Sequence, residues 1–275
     1  MDFAFSKMHG AANDFVVVDH REPFLPVDAT LLFARLCDRR RGVGADGVLL
    51  LERDPEHDFS MRYFNRDGIA ADFCGNGARC IARFAIDRGL GAEGSVTFRT
   101  AVGVKRAREL RDGRIALWFG AVGGLERIQV EALGRVFAGS FGVTGVPHFV
   151  VPVEEINTVA FDLWSPALRH HPHFGAPGAN VDYVARGQDG RIAMRTWERG
   201  VEAETLACGS GAIATALWAV GEGVPSPITV LTAGGDELVV SFEEGPQGRE
   251  ATLTGPAEVV FTGAWCEPAG VTAGT

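Results

Sequence analysis

Two cysteines occupy closely similar sequence contexts and are the residues of this chain best suited to chemistry. Cys74 lies in Phe-Cys-Gly-Asn-Gly-Ala and Cys208 in Ala-Cys-Gly-Ser-Gly-Ala, about half the chain length apart. A run of small apolar residues follows each glycine-rich turn, which predicts a helix beginning at the cysteine. A helix N-terminus lowers a thiol's pKa from its ordinary value of about 8.5. Each turn is therefore predicted to offer an activated thiol beside backbone N–H groups that can bind a carboxylate.

The sequence before each cysteine repeats as well. Residues 61–65 read Met-Arg-Tyr-Phe-Asn and residues 194–198 read Met-Arg-Thr-Trp-Glu, at almost the same distance from the cysteine that follows. Strands are predicted at Phe59 to Phe64 and at Arg191 to Trp197. The helices that follow the cysteines are predicted to end near Gly89 and Gly221. This repeated sequence segment predicts two half-structures with equivalent thiols. Two such thiols could move a proton from one face of a carbon atom to the other.

The composition limits the class of protein. The chain of 275 residues has 46% hydrophobic residues, a net charge of −9 and a pI near 5.3. Acidic charge argues against nucleic acid or an anionic membrane as the partner. No apolar run approaches the length of a spanning helix, and the N-terminus does not read as a signal peptide, so we expect a cytoplasmic protein.

The remaining reactive side chains give weaker signals. The spacing of the five cysteines is not that of a metal site, and a cysteine near a helix start can also be a small apolar core residue. The matched contexts argue against that interpretation for Cys74 and Cys208. The other three cysteines, Cys37, Cys80 and Cys266, lack such a context and are interpreted as filler, that is, as small apolar residues without a chemical role. A pyridoxal cofactor is poorly supported, since the chain has only two lysines. The basic run 39–41 is interpreted as a solvated turn.

Four motifs together resemble the diaminopimelate epimerase family over nearly the whole chain. They are the opening loop Lys7 to Phe15, the first cysteine motif Asn65 to Cys80, the Pro-His segment Gly145 to Phe149, and the second cysteine motif Trp197 to Gly211. The resemblance implies an epimerase that interconverts LL- and meso-2,6-diaminopimelate without a cofactor or metal, as a homodimer. The only partner implied is a small amino-acid substrate.

The resemblance also implies a fold and a set of site residues. The fold class is α/β (α+β), with two pseudo-symmetric halves, each a curled, mostly antiparallel sheet around a central helix, and the site in the cleft. We place the halves at residues 1–118, joined by the tail 263–275, and at 119–262. Cys74 and Cys208 would be the acid and base, with His148 and Glu198 biasing their protonation. The implied substrate-binding residues are Asn13, Asn65, Gly75, Asn76, Asn180, Glu198, Arg199, Gly209 and Ser210.

Three other functions remain open at this point. Gly47 and Val146 stand where the family often has Gln and Asn, which bears on the choice of substrate. One alternative is therefore another two-cysteine racemase of this fold, of the proline or histidine type; Asn76, where proline racemases usually have His, favours diaminopimelate. The others are a non-catalytic binding protein and a redox switch in which Cys74 and Cys208 form a disulfide.

Overall fold

The chain forms two compact units. The computed structural model describes residues 2–246 and 248–266. Of these, residues 2–10, 14–104 and 257–266 form the first unit, and the described residues of 11–13 and 105–256 form the second. The boundaries predicted from the sequence, at 118/119 and 262/263, stay predictions, and the predicted position of residues 267–275 lies outside the described residues.

The first unit is a mostly antiparallel sheet with two helices. Its elements are β1 (Asp2–Gly10), β2 (Asn13–Asp19), α1 (Thr30–Cys37), β3 (Gly47–Glu52), β4 (Phe59–Asn65), β5 (Ala70–Ala71), α2 (Gly75–Ile86), β6 (Ser95–Thr100) and β18 (Glu258–Cys266), with β7 (Gly103–Glu109) crossing into the second unit. Strand β1 pairs with β18, and β3 pairs with β4, in antiparallel register. The pairs β2–β3 and β4–β6 are parallel.

The second unit repeats this topology. Its elements are β8 (Ile115–Ala121), β9 (Glu126–Ala132), β10 (Arg135–Val143), β11 (Pro147–Pro152), α3 (Phe161–Arg169), β12 (Asn180–Arg186), β13 (Ile192–Glu198), β14 (Ala203–Thr205), α4 (Gly209–Gly221), β15 (Ile228–Leu231), β16 (Glu237–Gly245) and β17 (Gly248–Gly255). The parallel pairs are now β11–β12 and β13–β15, and β12–β13 is antiparallel. The order β2-α1-β3-β4-β5-α2-β6 of the first unit thus recurs as β11-α3-β12-β13-β14-α4-β15, which confirms the predicted repeat and fold class.

Alternation along the strands of the second unit separates two cores. Val150, Val184 and Met194 pack with α4, whereas Val151, Val181 and Tyr183 face the opposite side with aromatic residues around α3. Successive strand residues point to opposite faces, so each face has its own helix. Helix α4 is apolar nearly all round, as expected for a buried helix. Within the described part of the chain, no helix is long and apolar enough to cross a membrane.

The turn between β1 and β2 is tighter than the sequence suggested. Residues 9–14 form a mostly polar segment typical of a loop, but β1 continues to Gly10 and β2 begins at Asn13. Ala11 and Ala12 make the turn with φ of 57° and 62°, in the left-handed region that alanine rarely adopts. Ala11 is buried in the core of the second unit, so packing holds this turn in place.

Candidate active site

The two cysteines begin the two central helices with the same backbone geometry. Cys74 is the N-cap of α2 with φ −138° and ψ 120°, and Cys208 is the N-cap of α4 with φ −124° and ψ 112°. The first helical hydrogen bonds match, from Ala78 N–H to the Cys74 carbonyl at 2.8 Å and from Ala212 N–H to the Cys208 carbonyl at 2.9 Å. Both thiols therefore lie at the positive end of a helix, beside N–H groups that can bind an anion.

A fully buried arginine supports the turn that carries Cys74. Arg79 is 0% exposed, and its Nη2 donates to Asn76 Oδ1 at 3.0 Å. Gly10 at the end of β1 packs so closely that a Cβ there would lie 2.9 Å from the Asn76 carbonyl oxygen and 3.2 Å from Cys80 Sγ. Burial raises the pKa of the Cys80 thiol to about 12, which agrees with its interpretation as filler.

The environment of Cys208 is polar and strongly desolvated. Its Sγ accepts a hydrogen bond from Gly211 N–H at 3.4 Å and lies 3.5 Å from Ser210 Oγ. Burial raises the pKa of Cys208 well above its ordinary value, and the carboxylates of Glu198 and Asp182 raise it further. The expectation that the helix N-terminus lowers this pKa was therefore wrong for Cys208, because desolvation outweighs the stabilisation from the hydrogen bonds of Ser210 and Gly211.

A buried hydrogen-bonded group lies on the sheet face beneath Cys208. His148 and Asp182 are both 0% exposed, and His148 Nδ1 lies 2.6 Å from Asp182 Oδ2. Thr196 Oγ1 donates to the other carboxylate oxygen, Oδ1, at 2.7 Å. His148 Nε2 lies 2.9 Å from Ser210 Oγ, so the imidazole spans the distance between Asp182 and the turn that carries the thiol.

Strand register brings these side chains to one face. His148 on β11 is paired with Asn180 on β12, and Asp182 follows two residues later on the same face. Thr196 on β13 is paired with Asp182. Helix α4 packs over all three strands, and Gly211 allows its close approach, since a Cβ there would lie 2.7 Å from Asp182 Oδ1. The polar group is therefore enclosed between sheet and helix.

Asn180 and Arg199 are joined by a backbone contact. Arg199 N–H donates to Asn180 Oδ1 at 2.7 Å, and Asn180 Nδ2 lies 3.3 Å from His148 Nε2. Glu198, the last residue of β13, is half-buried, and its charge contributes to the raised pKa of Cys208. One region of the second unit thus contains the side chains of Cys208, Ser210, His148, Asn180 and Glu198 and the backbone of Arg199.

The asparagines predicted near the first motif lie in different settings. Asn65 is exposed at the end of β4, where it is paired with Gly47. Asn13 is half-buried at the start of β2 and belongs by its contacts to the second unit. Gly47 has no space for a side chain, because a Cβ there would lie 2.5 Å from the Phe64 carbonyl oxygen and 2.7 Å from the Tyr63 ring. Tyr63 therefore occupies the space beside Gly47.

Sequence reasoning missed the buried polar residues that support the site. Asp182 contacts His148 directly, and Thr196 donates a hydrogen bond to Asp182. Thr144 Oγ1 donates to the Ser210 carbonyl at 2.9 Å. A signal was present in Asn180-Val181-Asp182, where two polar residues share one face of an otherwise apolar strand. Arg79 carried no such signal. Among residues 2–246 and 248–266, no group of three or more His, Cys, Asp or Glu is placed to hold a metal ion.

Comparison with known proteins gives a consistent family. The family model described as "Diaminopimelate epimerase" matches residues 5–122 and 141–260, so each matched region contains one of the two cysteines. A diaminopimelate epimerase from Aquifex aeolicus is 40% identical over 94% of this chain and 96% of its own length. One from Desulforudis audaxviator is 39% identical over 95% of this chain and 98% of its own length.

Solved structures share the fold at lower sequence identity. A phenazine biosynthesis protein of the PhzF family from Bacillus anthracis matches with a TM-score of 0.73 and 15% identity, over 97% of this chain and 99% of its own. A hydroxyproline epimerase from Agrobacterium vitis matches with a TM-score of 0.67 and 19% identity, over 96% and 92%. At this level of identity the two matches establish the architecture alone.

Proposed function

The chain belongs to the diaminopimelate epimerase family, and we propose that it interconverts LL- and meso-2,6-diaminopimelate by proton exchange between two thiols. The observation that carries this proposal is the matched position of Cys74 and Cys208 at the starts of α2 and α4. Each thiol has a nearby set of backbone N–H groups, which is what a reaction beside a carboxylate requires.

The proposed reaction uses one cysteine on each face of the substrate's α-carbon. One cysteine, as thiolate, removes the α-proton, and the other, as thiol, donates its proton to the opposite face. The carbanion formed between these steps is stabilised by N–H groups that bind the adjacent carboxylate, namely those of Gly75, Asn76, Gly209 and Ser210. The raised pKa of Cys208 supports its being protonated in the resting enzyme, so that it must lose this proton before it can act as the base.

The other predicted site residues complete the proposal. The polar groups of the substrate, including its distal amino-acid end, are bound by Asn13, Asn65, Asn180 and Arg199. Glu198, which lies near Cys208, also binds the substrate. His148 and Glu198 control the protonation of the thiols. Two further parts of the proposal are a homodimer, which light scattering on the purified protein tests, and a cytoplasmic location, which cell fractionation tests.

Deuterium exchange tests the proposed reaction. LL-diaminopimelate in D2O should gain deuterium at one α-carbon and form the meso isomer with the wild-type protein, as followed by NMR. Cys74→Ala and Cys208→Ala should each lower turnover by about a thousandfold or more, in the range of acid–base and nucleophilic group deletions. Cys266→Ala is the matched control, because this exposed cysteine lies outside both helix starts.

The contrary outcomes are distinct. Wild-type exchange by both cysteine variants would refute the two-thiol mechanism. Exchange into proline or histidine, with none into diaminopimelate, would instead identify a racemase for a single amino acid.

A further inference from the structure

The buried polar side chains beneath Cys208 form a continuous hydrogen-bonded chain that ends at the thiol. It links four side chains in sequence, with His148 Nδ1 at 2.6 Å from Asp182 Oδ2, His148 Nε2 at 2.9 Å from Ser210 Oγ, and Ser210 Oγ at 3.5 Å from Cys208 Sγ. The two members farthest from the thiol, His148 and Asp182, are completely buried. A buried chain of this kind is costly unless every donor meets an acceptor, so its hydrogen-bond directions can be worked out.

The orientation of the Asn180 amide fixes the direction of the chain. Arg199 N–H is a donor, so the Asn180 atom that it meets at 2.7 Å is the carbonyl oxygen Oδ1. The amide nitrogen Nδ2 must then be the atom 3.3 Å from His148 Nε2. An amide nitrogen only donates, so Nε2 is an acceptor and carries no proton.

The tautomer of His148 follows from this. With Nε2 as acceptor, the ring proton is on Nδ1 and is donated to Asp182 Oδ2 at 2.6 Å. Asp182 is held in turn by Thr196, which donates to Oδ1 at 2.7 Å. Both carboxylate oxygens therefore accept hydrogen bonds, and rotation of the Asp182 carboxylate would break both.

Ser210 connects the imidazole to the thiol. Its hydroxyl donates to the unprotonated Nε2 of His148 at 2.9 Å and shares the one lone pair of that nitrogen with the more distant Asn180 Nδ2. The Ser210 oxygen can then accept from the Cys208 S–H, 3.5 Å away. Burial and nearby carboxylates hold the Cys208 thiol in its protonated form, as its raised pKa shows. Cys208 therefore needs a base to become a thiolate, and the hydrogen-bonded path leads to His148.

We propose that the Ser210 hydroxyl relays the proton of Cys208 to His148 Nε2, and that Asp182 is the positioning residue that holds His148 in the tautomer able to accept it. The inference rests on the proposed function, because it assumes that Cys208 exchanges protons with substrate. As the Cys208 S–H bond breaks, its proton bonds to Ser210 Oγ, while the original Ser210 proton bonds to His148 Nε2. The products are a Cys208 thiolate, a neutral Ser210 and an imidazolium paired with Asp182, and the reverse step returns the proton.

Two substitutions at position 210 test the relay. Ser210→Ala keeps the backbone N–H group and removes only the hydroxyl, so kcat should fall about 100-fold, near the lower limit for loss of proton-transfer catalysis, while KM changes by about threefold or less. Ser210→Thr keeps a hydroxyl and should restore kcat to within about tenfold of the wild-type enzyme. An Ala variant with wild-type kcat, or a Thr variant as slow as the Ala variant, would overturn the relay.

Histidine NMR tests the role of Asp182 without relying on activity. In protein with 15N-labelled histidine, the His148 signals, identified by their loss in His148→Asn, should show a proton on Nδ1 and none on Nε2. Asp182→Asn should shift population toward the Nε2–H tautomer and lower kcat about 100-fold or more, since the wrong tautomer cannot accept the Ser210 proton. A wild-type spectrum with the proton on Nε2 would overturn the assignment.

The two proposals fail in different ways. If Cys208→Ala abolishes exchange while Ser210→Ala and Asp182→Asn keep wild-type kcat, the relay is refuted and the two-thiol function stands. If Cys208→Ala itself turns over normally, the proposed function fails. Should Asp182→Asn not fold, the wild-type spectrum still decides the tautomer and the Ser210 pair still decides the relay.

Discussion

Leu49 and Asp182 occupy equivalent positions in the two units but differ completely in chemistry. Leu49 is paired with Tyr63 two residues after Met61, and Asp182 is paired with Thr196 two residues after Met194. The central helix packs against each through a glycine, because a Cβ at Gly77 would contact Leu49 Cδ2 at 3.2 Å and one at Gly211 would contact Asp182 Oδ1 at 2.7 Å. The support beneath Cys74 is thus apolar where that beneath Cys208 is polar.

The two helix starts also differ in buried charge, which lies in the helix that follows Cys74 and not in the helix that follows Cys208. Helix α2 contains the buried Arg79, whereas the apolar Ile213 stands at the same offset from Cys208 in α4. The duplicated backbone therefore carries two thiols in different electrostatic environments. Such a difference suits a pair in which one member is an acid while the other is a base.

The raised pKa of Cys208 predicts slow alkylation at neutral pH. The thiolate is the reactive form, so the rate of Cys208 modification by iodoacetamide should still be increasing above pH 9, where an ordinary thiol approaches its maximum. Glu198→Gln removes a carboxylate that raises this pKa and should move the profile to lower pH. Peptide mass spectrometry measures each cysteine separately, with the exposed Cys266 as internal reference. A Cys208 profile that coincides with that of Cys266 would contradict the prediction.

Arg79→Lys should destabilise the protein although it conserves charge. The buried guanidinium donates to Asn76 Oδ1 and lies 3.5 Å from the Gly75 carbonyl, and a lysine cannot reproduce this forked geometry. We expect a loss of about 1–3 kcal/mol in the free energy of unfolding, measured by urea denaturation. Arg83→Lys, one turn further along α2 in a surface pair with Asp87, is the matched control and should change stability by less than about 0.5 kcal/mol. Equal losses in the two variants would refute the special role of Arg79.

Gly47→Ala should be strongly destabilising because there is no space for a Cβ. The new atom would lie 2.5 Å from the Phe64 carbonyl oxygen, which is backbone and cannot rotate away. Overpacking of this kind costs about 1–3 kcal/mol, which thermal unfolding would detect as a lower Tm. Gly123→Ala is the control, since a Cβ at Gly123 meets nothing within 4 Å. Matching Tm values for the two variants would show that the strand adapts and that glycine is not required.

Asp14 should contribute to stability in a pH-dependent way. Burial raises the pKa of Asp14, but hydrogen bonds and charge from Arg39 and Lys7 outweigh it and lower the value from 3.8 to about 2. The ionised form is therefore favoured by folding, so the stabilisation is present above pH 4 and is lost as the pH falls through about 2. A shift of this size corresponds to about 2 kcal/mol.

Asp14→Asn tests this contribution by difference. The variant should be less stable than the wild-type protein at pH 7, and the gap in unfolding free energy should close as the pH falls from 4 to 2. Asp112→Asn, which removes a carboxylate from an exposed pair with Arg114, should show a much smaller gap at every pH. A gap for Asp14→Asn that stays constant down to pH 2 would contradict the assignment. Residues 39–41 form an exposed turn, as predicted, and Arg39 pairs there with Asp14 and Asp46.

The sequence alone determined the repeat, the two helix starts and the reaction class. Glycine-rich turns, small-residue runs and alternating strands are local signals, because capping and side-chain periodicity depend on neighbouring residues. Matched contexts around Cys74 and Cys208 were therefore readable without coordinates. The family was readable for the same reason, since its motifs are contiguous.

Only the tertiary structure decided how the two thiols differ. His148, Asp182 and Thr196 are far apart in sequence, and strand register brings them together beneath α4. The raised pKa of Cys208 depends on burial, which a helix-start motif cannot reveal, so the sequence predicted the wrong direction there. Desolvation and pairing between strands are properties of the folded chain, and they turn a repeated sequence into two unlike sites.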